Sequence, residues 1–226
     1  MAGIITHIAI ADKITDMLGD KIKNVPLFFG GNIAPDCIHS RVQYVRSMKK
    51  HTHLRDDIRD ADFINADSQA LFHGRLDEFV ERYCVRADAE FDLYCGYFSH
   101  LVTDELFIKT IRQDFVLEME KQDIKQSDKS FFEFITSDLF DIDNRLAQEY
   151  HFKNAPKQTL WAAKDYEVRD YLTADEINNS KGWITNWFDN KNKLSEPKYI
   201  SYQRIIDFID NASQEIVKRL YEYKLY

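Results

Sequence analysis

The sequence predicts an all-α protein folded as one domain. Seven glycines and four prolines in 226 residues leave long stretches without helix breakers. Alternating β-type patterns are short, and several segments repeat apolar residues at helical spacing. The length suffices for one full core, and no repeat, low-complexity tract or linker divides it. A hydrophobic content of 44%, charged content of 30% and aromatic content of 14% exclude a disordered chain.

Taken in order, Thr6 is positioned to cap a first helix whose inward face is His7, Ala11, Ile14 and Leu18. Gly19 ends it. Pro26 to Asp36, PLFFGGNIAPD, reads as an apolar loop running inward, because paired glycines and two prolines argue against regular helix. Asp36 is then either a fixed inward carboxylate or the N-cap of the next helix. In KKHTHLRDD, His51 and His53 diverge by roughly 200° on a helix, so only one needs to face inward. Asp67 to Cys84 forms an amphipathic helix with Leu71, Leu76, Phe79, Val80 and Tyr83 inward and His73 on its polar, surface side.

Phe91 to Ile111 is the organising stretch. Of the eighteen residues Phe91 to Ile108, eleven are apolar or aromatic, which describes a helix buried on most sides. His100 and Asp104 interrupt it at a separation of four, projecting from one face. A hydrogen-bonded pair that orients two helices and a pair of metal ligands both fit that spacing. Gly96, one turn earlier on the same face, costs about 1 kcal/mol of helix stability but lets another segment come close.

Further on, Phe131 to Tyr150 is helical with Phe132, Ile135, Leu139, Ile142 and Leu146 inward. Trp161, Trp183 and Trp187 lie among short helical pieces and suit core packing or an aromatic lid, with Thr173 heading a capping box, TADE. Ser201 to Tyr223 closes the chain with the stripe Ile205, Ile209, Ala212, Ile216 and Leu220. The helices of 130–226 are expected to complete the core, while every candidate site residue lies within 1–110.

A net charge of −8 and pI near 5.4 argue against a stable nucleic-acid partner, whose footprint is basic. Cys37 to Arg55 reverses that balance with Arg41, Arg46, Lys49, Lys50, Arg55, three histidines and no acid, a pattern that suits phosphate as well as a solvated face. The N-terminus lacks a basic n-region, no uncharged run reaches membrane-spanning length, and three cysteines have no zinc-ribbon spacing. A reduced, cytoplasmic setting is expected.

The ordered set THI with His7, GGNIAPD with Asp36, HTHL with His53 and GYFSHLVTD with His100 and Asp104 resembles the zinc-dependent phospholipase C family across roughly the first 110 residues. The related single-strand-specific zinc nucleases use the same kind of cluster. The resemblance implies a helical bundle, and a zinc set of Asp36, His53, His100 and Asp104, with Asp104 bridging to a second zinc that also takes His7. It also gives Asp36 the role of base toward the attacking water. The zinc ions would activate that water and neutralise charge on a small-molecule or lipid-headgroup phosphodiester.

Secreted members add a further His after the helix Asp and a His-x-x-x-Glu; here only His151 comes after Asp104, with no Glu four residues on. They also use a mature N-terminal amine. His39 and His51 are the substitutes for the missing ligands, and Arg41 is a candidate phosphate contact. An adjacent His-Asp doublet, Glu-x-x-His and HExxH are absent, which removes the HD-type, di-iron and zinc-protease alternatives. A non-catalytic helical metal-binding protein is the remaining alternative to a phosphoesterase.

Overall fold

The computed structural model describes Met1–Tyr226 as ten α-helices with three 3₁₀ turns and no strand. The helices are α1 (Ile4–Leu18), α2 (Val25–Cys37), α3 (Arg46–Thr52), α4 (Ala66–Tyr83), α5 (Phe91–Lys109), α6 (Ile111–Glu120), α7 (Lys129–Glu149), α8 (Pro156–Ala162), α9 (Ala174–Thr185) and α10 (Tyr202–Glu222). A single core cluster of 57 buried residues runs from Ala2 to Leu225, so the C-terminal helices share one interior with the N-terminal ones. No helix is long and apolar enough to cross a membrane.

The closest pairing in the molecule is α2 against α5. It is made by two glycines. A Cβ on Gly96 would fall on the Phe28 carbonyl, and one on Gly31 would fall on the Leu93 carbonyl, so each backbone occupies the space where the other's side chain would stand. The stretch 26–36, expected as a loop, is therefore helix. Pro26 sits in the first turn, where its missing N–H has no intrahelical partner to lose, and Asn24 caps that end by accepting from the Leu27 N–H at 3.1 Å. Pro35 falls in the last turn, near the other end. Burial of Phe28, Phe29, Ile33 and Ala34 outweighs the weak propensity of the Gly-Gly pair.

Buried aspartates fix the helix ends. Helix α1 begins at Ile4, not at Thr6; Asp143 of α7 accepts from the Ile5 and Thr6 N–H groups at 3.1 and 3.2 Å and serves as its cap. Asp138 accepts from the Lys198, Tyr199 and Ile200 N–H groups and pins the chain before α10. The Thr173 capping box is formed. Ile205, Ile209, Ala212, Ile216 and Leu220 are all buried, as the α10 stripe requires.

Two faces differ from the sequence reading by one position. Phe72 is buried in α4 while Leu71 is exposed, and Phe131 is buried in α7 while Phe132 is 55% exposed. In each case two large apolar residues are adjacent, and the packing partner decides which turns inward. Trp161 and Trp183 are exposed, and Trp187 packs at the edge against Phe140, so the tryptophans are neither core nor an aromatic lid.

Candidate metal centre

Five side chains from four segments converge where α1, α2 and α5 meet the residue that ends α3. His7 comes from α1, Asp36 from the last turn of α2, His53 from the C-cap of α3, and His100 and Asp104 from α5. His7, His53 and His100 are at most 1% exposed, Asp104 is 3% exposed and Asp36 7% exposed. The His7 and His100 rings stack with centroids 3.8 Å apart and planes 4° from parallel. Asp104 reaches two ways, with Oδ1 3.4 Å from His7 Nε2 and Oδ2 3.6 Å from His53 Nε2. His53 Nε2 lies 3.4 Å from Asp36 Oδ1 and 3.2 Å from His100 Nε2.

The imidazole tautomers are set by the carbonyls around them. His100 Nδ1–H donates to the Asn32 carbonyl at 2.7 Å, and His53 Nδ1–H donates to the Lys49 carbonyl at 2.7 Å. A carbonyl only accepts, so each Nε2 is left with a lone pair, and the two face each other. Thr52 braces His53 from behind: its hydroxyl donates to the Pro35 carbonyl at 2.9 Å and lies 3.0 Å from His53 Nδ1. These contacts are the outer supports that set ligand orientation in metal sites.

Two opposed lone pairs and two carboxylates inside a protein are unfavourable unless a cation lies among them. His7 Nδ1 and Nε2 and Asp104 Oδ2 are all buried without a hydrogen-bond partner. Ligand atoms of His7, His100 and Asp104, and of Asp36, His53 and His100, lie within 4.8 Å of one another. Imidazole and carboxylate donors of this kind suit zinc. The donor set fits the ion.

Electrostatics point the same way. Burial pushes His100 well below its ordinary range, with stacked His7 adding to the effect, and burial lowers His53 despite Asp36 beside it. Neutral imidazole is the ligating form. Burial opposes ionisation of Asp36, but the Lys49 ammonium and then His53 outweigh it and hold the carboxyl well below the usual range. Burial likewise opposes ionisation of Asp104, and the His7 contact overcomes it.

These shifts make stability depend on pH. Unfolded imidazoles protonate near 6.5, whereas His53 and His100 resist protonation in the folded protein, so below about 6.5 the unfolded state binds more protons and stability falls with pH. Asp143, raised by burial from 3.8 to about 6, acts in the opposite sense across that interval, one group against three, since burial also lowers His39. The melting temperature of metal-stripped protein should decrease from about pH 6.5 to pH 5. A melting temperature that rises over that range contradicts the buried neutral histidines.

The remaining candidates lie elsewhere. His51 is exposed, pairs with Asp56 at 2.7 Å and lines a separate recess beside Tyr171, so it is not a substitute ligand. The reason is geometric, since its neighbour His53 takes the inward direction. Arg41 is engaged by Glu176, with Nη2 3.1 Å from Oε2, and by the Tyr171 carbonyl, which removes it as a phosphate contact. His39 is exposed and 3.3 Å from Lys49 Nζ, on the rim of the site rather than in it. His73 is only half exposed and bonds buried Glu105 at 2.9 Å, away from the centre.

Lys49, one of five cations in the basic stretch, is the one whose ammonium enters the site, 2.6 Å from Asp36 Oδ1, a pairing the sequence does not single out. Beyond it a small recess lined by His53, Lys49 and Arg55 opens into a cleft of about 650 Å³. Arg46, Lys49, Arg55 and Arg112 make up the cationic wall of the cleft, and Phe131, Phe132, Ile135 and Leu139 of α7 its apolar wall; the two meet where Arg46 lies over the Phe132 ring and Arg112 over the Phe131 ring.

Residues 6–106 match the family model described as zinc dependent phospholipase C. Over that segment the chain is similar to the zinc-dependent phospholipase C family. The match contains all five converging residues and stops inside α5, so α6 to α10, including the apolar wall, lie outside it. No match is found among curated proteins or among solved structures.

Proposed function

We propose that the protein is a zinc-dependent hydrolase of phosphodiesters, with a small-molecule or lipid headgroup as substrate. The observation that carries this reading is the set of unpartnered buried atoms on His7 and Asp104, beside the Lys49-paired Asp36, opening through His53 and Lys49 into a cleft lined by both cationic and apolar side chains. Asp36, His53, His100 and one oxygen of Asp104 would hold one ion, and the other oxygen of Asp104 with His7 a second. His100 has a single free nitrogen and serves one ion only, which leaves the two-oxygen carboxylate of Asp104 as the bridge. Zinc, when bound, supplies Lewis-acid stabilisation of the phosphoryl charge and a lowered pKa for water.

The chain's own groups divide the remaining work. His53 and His100 stay neutral and oriented because their Nδ1 protons are held by carbonyls. Asp36, ion-paired with Lys49 of the recess, would take the proton, and Lys49 balances its charge. The apolar wall accepts an uncharged substituent of the ester.

The test is hydrolysis of bis(p-nitrophenyl) phosphate by zinc-loaded protein. Chelation should abolish it, and Asp36→Asn should lower turnover by about 10²–10⁴-fold while zinc on the Asp104 side is retained. The Lys49–Asp36 ion pair favours one rival, a metal-binding protein whose candidate base stays engaged. Full zinc occupancy with no turnover of phosphodiester, phosphomonoester, lipid or single-stranded nucleic acid would establish that rival.

A further inference from the structure

The cationic wall of the cleft holds more positive charge than the protein itself neutralises. Arg46 Nη2 and Arg55 Nη2 share a single carboxylate, Asp60, at 2.6 and 2.8 Å. Arg112, half-buried at the start of α6, makes no ion pair or hydrogen bond and lies only against the Phe131 ring, at 5.5 Å. Arg55 is 5% exposed and its Nε has no partner. Burial, and then the neighbouring Arg55 and Arg46, disfavour the charge on Arg112 while Asp60 supports it, as expected for cations crowded around too few acids. The acids at the rim do not relieve this: Asp128 is occupied by the Lys125 N–H and by Ser127, and Asp36 by Lys49.

Three guanidiniums around one carboxylate leave two uncompensated charges, with Arg55 buried and Arg112 half-buried, where charge without a partner is costly. A scissile phosphodiester at the metal centre carries one negative charge, and the recess that holds His53 and Lys49 is also lined by Arg46 and Arg55, so that charge offsets only one of the two. Arg112 lines the wider cleft and not this recess, and is left without an anion. Guanidiniums in this density match the bidentate geometry of a phosphate dianion.

We infer that the Arg46, Arg55 and Arg112 wall is a second anion subsite, selecting phosphodiesters that carry an additional phosphate group on the portion lying in the cleft. A substrate with a cationic headgroup is disfavoured there. The inference rests on the phosphodiesterase reading for its catalytic consequence, whereas the anion subsite itself stands on the side chains alone.

Two measurements test it. In detergent micelles at full zinc occupancy, a phospholipid with a phosphorylated inositol headgroup is compared with a choline phospholipid of identical acyl chains, in wild type and in Arg112→Gln. The kcat/KM ratio should favour the phosphorylated headgroup by about tenfold or more and collapse toward unity in the variant, since a charge-assisted hydrogen bond carries that much discrimination. Equal turnover of the two lipids, or an undiminished preference in Arg112→Gln, would overturn the subsite. Titration of inorganic phosphate into metal-stripped protein is the second measurement. Saturable binding weakened about fivefold or more in Arg112→Gln supports the subsite even where neither lipid is hydrolysed, an outcome that removes only the enzymatic reading. Absent phosphate binding, or binding unchanged by the substitution, overturns it. Arg46→Gln, at a more exposed position, repeats both arms should Arg112→Gln fail to fold.

Discussion

Replacing His100 by alanine is expected to lower zinc affinity by more than about 100-fold and to leave the purified protein with little metal. Losing an outer support of a metal ligand already costs about 10–100-fold, and His100 is itself placed to ligate. Its Nε2 lies 3.2 Å from His53 Nε2, its ring stacks on His7, and its Nδ1 is committed to Asn32, so no neighbouring side chain can rotate into its place. Asp104→Ala should behave alike, because one carboxylate spans His7 and His53. His73→Ala is the control: it removes a partner of Glu105, which retains Arg219 and Lys109, and touches nothing at the centre. Metal analysis of the three proteins checks this. Equal zinc content in all of them would remove the assignment.

The second large effect concerns the backbone contact that brings the ligands together. Gly96→Ala should destabilise the protein by about 1–3 kcal/mol or more, although alanine is the better helix former by roughly 1 kcal/mol. The added methyl would meet the Phe28 carbonyl and the Asn32 N–H of α2, the latter nitrogen at 2.9 Å, and neither is a flexible side-chain end that can swing aside. Because Asn32 holds His100 and Asp36 lies on the same helix, metal affinity should fall with stability. Gly74→Ala reverses the sign. Nothing lies within 4 Å of its added methyl, so the helix gains about 0.4–1 kcal/mol. Urea unfolding of the two variants decides it, and a Gly96→Ala protein as stable as wild type would mean that α2 and α5 do not depend on that close approach.

How much of the fold and the site is legible in the sequence varies with the physics at each residue. His100 and Asp104 stand out because polar groups four apart in an otherwise apolar helix must share a buried partner. The all-α class is carried by breaker content and helical stripes. Helix α2 reads as a loop because Gly30, Gly31 and Pro35 weaken local propensity, and the compensation comes from α5, far away in sequence. Asp36 nevertheless points inward, since burial of the segment is visible in its hydrophobicity. Lys49, Arg55 and Arg112 cannot be separated by sequence from an ordinary solvated charge run. Only the packing of α3, the loop after it and α6 around Asp60 shows which cations turn into the cleft. The buried member of an adjacent apolar pair, Phe131 over Phe132, likewise depends on its neighbours rather than on period.

The most direct test of the central claim is anomalous scattering at the zinc edge from crystals of the zinc-loaded protein. Two ions are predicted. One should lie about 2.0–2.2 Å from donor atoms of Asp36, His53, His100 and one oxygen of Asp104, and the other at the same distance from His7 and the second Asp104 oxygen. Anomalous peaks placed away from these five residues, or none at saturating zinc, would contradict the account.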